Sequence, residues 1–142
     1  RDIHERERQP GVLLRASRHF ERITGGRYVR VLSPMGEKDL LAEAKDGRRL
    51  SSARLSRGTA EQLYLAMRLA LSDEYERILD LPLVMDDIFV NFDGARLRET
   101  LGVVAEVARR RQILLFTCHE HVAEAVKAAV PDLQLIELDH SS

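Results

Sequence analysis

The stretch that decides the fold is Leu81-Pro82-Leu83-Val84-Met85-Asp86-Asp87, an apolar run that ends in two aspartates. An apolar segment this short reads as a buried strand of a parallel sheet, because a half-exposed strand would alternate apolar and polar side chains. Amphipathic helices flank it. Thr59 to about Leu79 sets Leu63, Met67, Ala70 and Leu71 on an inner face, and Gly94 to Arg111 sets Leu97, Leu101, Val104 and Ala108 there. Gln112 to Thr117 repeats the buried-strand pattern and Glu120 to Ala129 the helix. Pro131 ends that helix, and Leu133 to Leu138 is expected to form a last strand. Alternation at this pitch predicts an α/β fold, with a mostly parallel sheet and covering helices. Ligands of such sheets lie beyond the carboxyl ends of the strands, where Asp86, Asp87 and His119 fall.

Ahead of this half, Arg1 to about Ile23 predicts a helix, broken or restarted at Pro10-Gly11. Val12, Ala16, Phe20 and Ile23 form its apolar stripe. Thr24-Gly25-Gly26 stops it, and Tyr28 to Leu32 follows as a strand ended by Ser33-Pro34. A weaker strand is expected from Asp39 to Ala44, with a turn at Asp46-Gly47, and Arg48 to Arg54 reads as a loop. The 142 residues are enough for one real core. No apolar run approaches the roughly 20 residues that cross a bilayer. The charged start, Arg1 to Pro10, is the opposite of a secretory signal. Cys118 is the single cysteine, so no internal disulfide forms, in keeping with an expected cytoplasmic setting. A net charge of −1 exerts no global pull on nucleic acid. Arg15, Arg18, Arg22, Arg27 and Arg30 cluster locally, and such a patch reads first as a solvated face and second as a phosphate contact.

Four short stretches carry chemistry. Asp86 sits at a rigid strand end, where a carboxylate can orient the waters of a Mg²⁺ ion, which prefers one or two carboxylates plus waters and phosphates. Asp87 points elsewhere and can polarise a water, although aspartates also end strands in plain turns. A phosphoacceptor receiver domain would place its acidic pair near the first strand and a lysine after a later one, and this chain does neither. Leu55-Ser56-Arg57-Gly58-Thr59-Ala60-Glu61-Gln62 precedes a long helix, whose first amides and dipole attract an anion. A Thr59–Gln62 capping box is expected there as well, leaving Ser56 and Gly58 just outside the helix. Thr117-Cys118-His119-Glu120-His121 ends a strand, so a histidine there can bond a terminal phosphate or simply cap the next helix. A structural zinc site usually takes four ligands in two separated pairs, and no second Cys/His pair exists. Asn91-Phe92-Asp93 reads as a loop with Asp93 as an N-cap.

The order of these stretches says more than any one of them. An anion-binding helix start is followed by an acidic strand end about 30 residues on, then an Asn/Asp loop, then a strand ending in histidine. In this the chain resembles the ABC ATPase family. Leu55 to Gln62 is similar to its signature motif, Leu83 to Asp87 to its Walker B strand, Asn91 to Asp93 to its D-loop, and His119 to its switch histidine, with His121 in reserve. "LSRGTAEQLYLAMRLAL" together with "FTCHEH" most resembles SbcC and YhaN-like members, relatives of SMC proteins and RecN. Three departures stand out. Arg57 occupies the place of the first signature glycine, Asp87 that of the usual glutamate, and Cys118 intervenes before the histidine.

The chain contains no Gly-x-x-x-x-Gly-Lys-[Ser/Thr] cradle. The resemblance therefore implies the C-terminal lobe of a P-loop-type ABC head, with the end of a returning coiled-coil helix over 1–23 and the lobe over 24–142. The chain is expected to be one part of a longer polypeptide and inactive alone. On this reading Asp86 holds Mg²⁺ and Asp87 and His119 act on ATP. Ser56, Arg57, Gly58, Thr59, Asn91 and Asp93 bind nucleotide, with Ser56 and Gly58 closing the site of the opposite head in trans. The implied partners are the N-terminal Walker A lobe, a second head, DNA and a nuclease subunit, with no membrane. Two rivals are a catalytically idle docking lobe and a transporter's nucleotide-binding subunit.

Overall fold

The computed structural model describes residues 10–34, 36, 38–75 and 81–138. The charged segment 1–9 and the expected end of the second helix at 76–79 lie outside the described residues. Helix α1 spans Pro10–Ile23, with proline at its first position, where no amide hydrogen is needed. Ala16, Phe20 and Ile23 have no exposure and Val12 has little, so the stripe read from the sequence is the packed face. The Ser17 hydroxyl donates to the Leu13 carbonyl at 2.8 Å and accepts from the Val31 amide at 2.9 Å, which fixes α1 against the first strand.

The helix closes with four satisfied carbonyls. The Thr24, Gly25 and Gly26 amides return to Phe20, Arg22 and Glu21. The fourth carbonyl, that of Ile23, accepts from the Gln62 side chain at 3.1 Å. Gly25 and Gly26 have φ of 63° and 86°, which glycine adopts without a Cβ penalty.

Strands β1 (Tyr28–Leu32), β2 (Leu41–Ala44) and β3 (Arg49–Ser51) form an antiparallel sheet in chain order. The third strand is a correction, since Arg48 to Arg54 reads as a loop. Three residues are too few for a periodic signal, and β3 forms because β2 offers an open edge, pairing Ala42 with Leu50. A 3₁₀ turn (Ser52–Arg54) then leads to helix α2, Arg57–Tyr75, which lies against α1.

Strands β4 (Leu83–Asp86) and β5 (Ile113–Phe116) pair in parallel, with Asp86 opposite Phe116. Helix α3 (Gly94–Ala108) connects them and α4 (Glu120–Ala129) follows, ending before Pro131 as expected. The α/β class and this parallel pairing are thus as read, while the first three strands are antiparallel. Among the described residues, the pair is covered on one face only. Met85 is fully buried, whereas Val84, Leu114 and Phe116 are 45%, 39% and 44% exposed on the other face. The expected two-sided burial is corrected accordingly.

Two further expectations fail for local reasons. Leu133 to Leu138 forms no strand, because a strand needs a neighbour to take its backbone hydrogen bonds; Leu135, Ile136 and Leu138 lie exposed. Helix α3 stops at Ala108 and leaves that residue exposed, with Val103 and Val107 buried in its stead. Arg111, beyond the helix, donates to the Ser72 carbonyl at 2.8 Å and the Leu81 carbonyl at 2.7 Å, bridging α2 to the approach of β4.

Candidate functional site

The parallel register sets the site. Because Asp86 and Phe116 are opposite, the residues that follow each strand emerge side by side. Asp86 shares the uncovered face with Val84, as strand alternation requires. Asp87 then turns back. Its φ is 54°, the one positive value among the described residues other than glycines, and aspartate tolerates it better than most. The Asp87 amide donates to the Phe116 carbonyl at 2.7 Å, which holds this turn in place. An unusual backbone at a strand end is where functional groups tend to be aimed.

Asp87 is held by its two oxygens in different ways. Oδ1 accepts from the Thr117 hydroxyl at 3.0 Å, and Oδ2 faces His119 Nε2 at 3.4 Å and Cys118 Sγ at 3.7 Å. Thr117 Oγ1 also accepts from the His119 amide at 3.1 Å, so a single hydroxyl positions both acid and imidazole. His119 occupies the N-cap position of α4 but makes no side-chain cap bond, so helix capping does not explain it. The His121 ring lies 5.8 Å from that of His119, and its residue is exposed.

The start of α2 differs from the expected capping box. Ser56 is the cap: its Oγ accepts from the Thr59 amide at 3.2 Å, and its carbonyl accepts from the Ala60 amide at 2.8 Å. Its hydroxyl also donates to Thr59 Oγ1 at 2.9 Å. Gly58 therefore belongs to the first helical turn and is buried, and Gln62 turns into the core. The sequence favours Thr59 because Thr-x-x-Gln matches the box, but Gln62 finds Ile23 and Thr100 instead.

Two bridges tie this helix start to the loop after β4. Asn91 Nδ2 donates to Glu61 Oε1 at 2.7 Å, and Glu61 lies 3.9 Å from Arg57 Nε. Asp93 caps α3 by accepting from the Arg96 amide at 2.8 Å. That bond, with the neighbouring Arg96 charge, holds the Asp93 carboxyl below the usual carboxylate range. The Arg96 guanidinium joins Asp93 Oδ2 at 3.1 Å to Thr59 Oγ1 at 3.3 Å. A Cβ at Gly58 would meet Arg96 Nη1 at 3.2 Å, so glycine allows this close approach. Arg57 itself is 81% exposed and projects from the helix start.

Glu61, Tyr64, Arg68, Asp86, Asp87 and Phe92 border one open cleft of about 270 Å³. The site residues read from the sequence thus form two linked groups: Asp86, Asp87 and His119 at the strand ends, and Ser56 to Thr59 with Asn91 and Asp93 at the α2 start. Glu61, Arg96 and Thr117 complete the framework and were missed. The available signals were weak: Glu61 follows Arg57 by four residues, Arg96 follows a cap aspartate by three, and Thr117 directly follows the strand.

The comparisons agree with the fold. No protein-family profile matches the chain. Among solved structures, a chain from work on ATP-driven dimerization and DNA-stimulated activation of SMC ATPases superposes with a TM-score of 0.71 at 13% identity, over 92% of this chain and 79% of that one. The SMC head domain from Thermotoga maritima gives 0.64 at 15% identity, over 87% and 41%. A Pyrococcus furiosus Smc head with an extended coiled coil, bound to the C-terminal domain of ScpA, gives 0.64 at 13%, over 85% and 30%. In fold, then, this chain is similar to SMC head domains.

In sequence it is similar to the uncharacterized protein YhaN of Bacillus subtilis (strain 168), at 37% identity over 123 residues, or 86% of this chain. That stretch covers 13% of YhaN, so the chain spans about an eighth of the length of this relative. The SMC-like, YhaN-like resemblance read from the motifs is borne out. No described helix is long and apolar enough to cross a membrane.

Proposed function

We propose that this lobe supplies the Walker B, D-loop, signature and switch elements of an ATP-hydrolysing, SMC-like head. One observation carries the reading. A carboxylate, Asp86, stands at the carboxyl end of an uncovered apolar strip, with the Asp87–His119 pair beside it. Uncovered apolar faces of this kind mark contact surfaces. An N-terminal lobe bearing a phosphate cradle covers that face and brings ATP to the strand ends.

In this reading Asp86 orients the waters of Mg²⁺, which takes carboxylate, water and phosphate oxygens. Asp87 orients the attacking water, His119 contacts the terminal phosphate, and positioning rather than covalent chemistry lowers the barrier. Ser56 to Thr59, with Asn91 and Asp93, meet the nucleotide held by a second head, where amides at the start of α2 face an anion. Arg57, in the place of a glycine, adds an exposed positive charge there. DNA association and a nuclease subunit belong to the same proposal by resemblance alone. So does a cytoplasmic setting.

The test is reconstitution. The chain is co-expressed with the N-terminal segment of its own gene, and Mg-ATPase activity is measured on the joined head. Turnover is expected from the joined head and from neither piece. Asp87→Asn is expected to keep ATP binding while slowing turnover roughly 10²-fold or more. Asp86→Asn is expected to weaken Mg-nucleotide binding itself. A joined head that binds ATP without turnover would leave the lobe as a docking module, and normal turnover by Asp87→Asn would remove that residue from the chemistry.

A further inference from the structure

Cys118, which precedes His119, brings a thiol to the Asp87–His119 pair, a ligand type that phosphate chemistry does not need. Asp87, Cys118 and His119 each offer one ligand atom, and the three atoms lie within 4.8 Å of one another. A tetrahedral Zn²⁺ with bonds of about 2.3 Å to sulfur and 2.0 Å to nitrogen and oxygen sets its ligands about 3.5 Å apart for S···O and about 3.3 Å for N···O. The corresponding separations here are 3.7 Å and 3.4 Å.

We propose that Asp87, Cys118 and His119 bind a thiophilic divalent cation, of which Zn²⁺ is the representative, with water in the fourth position. Thiolate, imidazole and carboxylate together suit zinc and cobalt, whereas magnesium takes oxygen ligands only. As the S–Zn bond forms, the Cys118 thiol releases its proton to solvent. The absence of a second Cys/His pair in the sequence argues against a closed, four-ligand structural site and leaves an open three-ligand one untouched. Asp87 supplies the third ligand, from the end of β4 and 31 residues before Cys118, and the β4–β5 register brings it there.

The frame for such an ion is already built. Thr117 occupies Oδ1 of Asp87, leaving Oδ2 for the metal, and the same hydroxyl holds the His119 backbone. Partners of this kind commonly fix the orientation of metal ligands. Cys118 is exposed, so the ion enters without any rearrangement of the core. A consequence rests on the proposed ATPase reading: zinc engages the acid and the imidazole that act on water and phosphate, and so blocks turnover.

The binding test uses the chain itself. Co²⁺ titration of the folded chain in excess Mg²⁺ is expected to give one equivalent of binding. The spectrum should carry the visible bands of tetrahedral cobalt and the near-ultraviolet thiolate charge-transfer band. Cys118→Ser should lose the charge-transfer band, and both Cys118→Ser and His119→Ala should weaken Zn²⁺ competition roughly tenfold or more. His121→Ala should change neither. Circular dichroism confirms that each exposed-site variant stays folded. An octahedral spectrum, no Cys118-dependent band, or dependence on His121 in place of His119 would overturn the site. In the joined head, micromolar Zn²⁺ should inhibit the parent and spare Cys118→Ser. If the head lacks ATPase activity, the spectroscopic result still decides the metal site by itself.

Discussion

Replacing Gln62 offers the most direct test of how the lobe is held together. Its side chain is fully buried, donating to the Ile23 carbonyl at 3.1 Å and to Thr100 Oγ1 at 3.2 Å. One amide therefore joins the end of α1, the first turns of α2 and the middle of α3. Gln62→Ala removes two hydrogen bonds worth about 1 kcal/mol each. The cavity left behind adds about 2 kcal/mol, toward the lower end of large-to-small core changes. Unfolding entropy of about 2.1 cal/mol/K per residue makes 1 kcal/mol equal to roughly 3 °C in a chain of this size. The melting temperature should then fall by roughly 10–13 °C, measured by scanning calorimetry at neutral pH.

Gln62→Leu fills the space and removes the unpartnered Oε1, but leaves Ile23 and Thr100 without the amide. A loss of about 1–2 kcal/mol is expected, or roughly 3–6 °C. A fall below about 3 °C for Gln62→Ala, or a larger fall for Gln62→Leu, would refute the view that this amide is a structural tie.

Four further outcomes are expected. Isothermal calorimetry of the chain with Mg-ATP should reveal no micromolar binding; a clear micromolar affinity would place the phosphate site within these residues. Ser56→Arg in the joined head should leave ATP binding intact and abolish head dimerisation and hydrolysis, read by nucleotide titration and light scattering. Thr117→Val should slow turnover in the joined head while Thr117→Ser restores it, because the hydroxyl and not the methyl positions Asp87 and His119. Asp93→Ala should lower the melting temperature at pH 7. The Asp93 carboxyl is held below its ordinary range by the Arg96 amide, so its contribution is present above the unfolded-state pKa and lost as pH falls through the folded-state one. Melting curves of parent and variant should accordingly converge in acid.

Much of this architecture was legible because the signals were long or periodic. The α1 stripe, the cap at Asp93 and the two apolar strands each rest on side-chain chemistry that acts within one element. What escaped the sequence depends on neighbours. Residues 133–138 have strand composition, yet composition supplies no partner for the backbone, and the segment stays irregular. Val84, Leu114 and Phe116 read as buried because they are apolar, whereas burial needs a covering layer that the described residues do not provide.

Gln62 illustrates the same limit at the level of one residue. Locally it matches a capping box, but two acceptors from distant elements compete for its amide and win. Ser56 then takes the capping role, because it stands three residues ahead of the Thr59 amide and has the right oxygen. The candidate site was legible as a set of residues and illegible as a frame. Glu61, Arg96 and Thr117 are ordinary in sequence and matter only through contacts 30 or more residues away.

The frame and the open face together explain how labour is divided in such a lobe. Everything that fixes direction lies within the chain: the β4–β5 register, the Thr117 hydroxyl, the Asn91–Glu61 bond and the Asp93–Arg96–Thr59 link. Asp86, Arg57 and the apolar strip beside Asp86, by contrast, all face solvent. Electrostatic preorganisation counts for most where water is excluded, so on the proposed reading these carboxylates would gain their effect beneath a covering lobe. On the proposed reading, such a site would couple chemistry to assembly: its groups are aimed before a partner lobe arrives, and they would take effect only once it had closed over them.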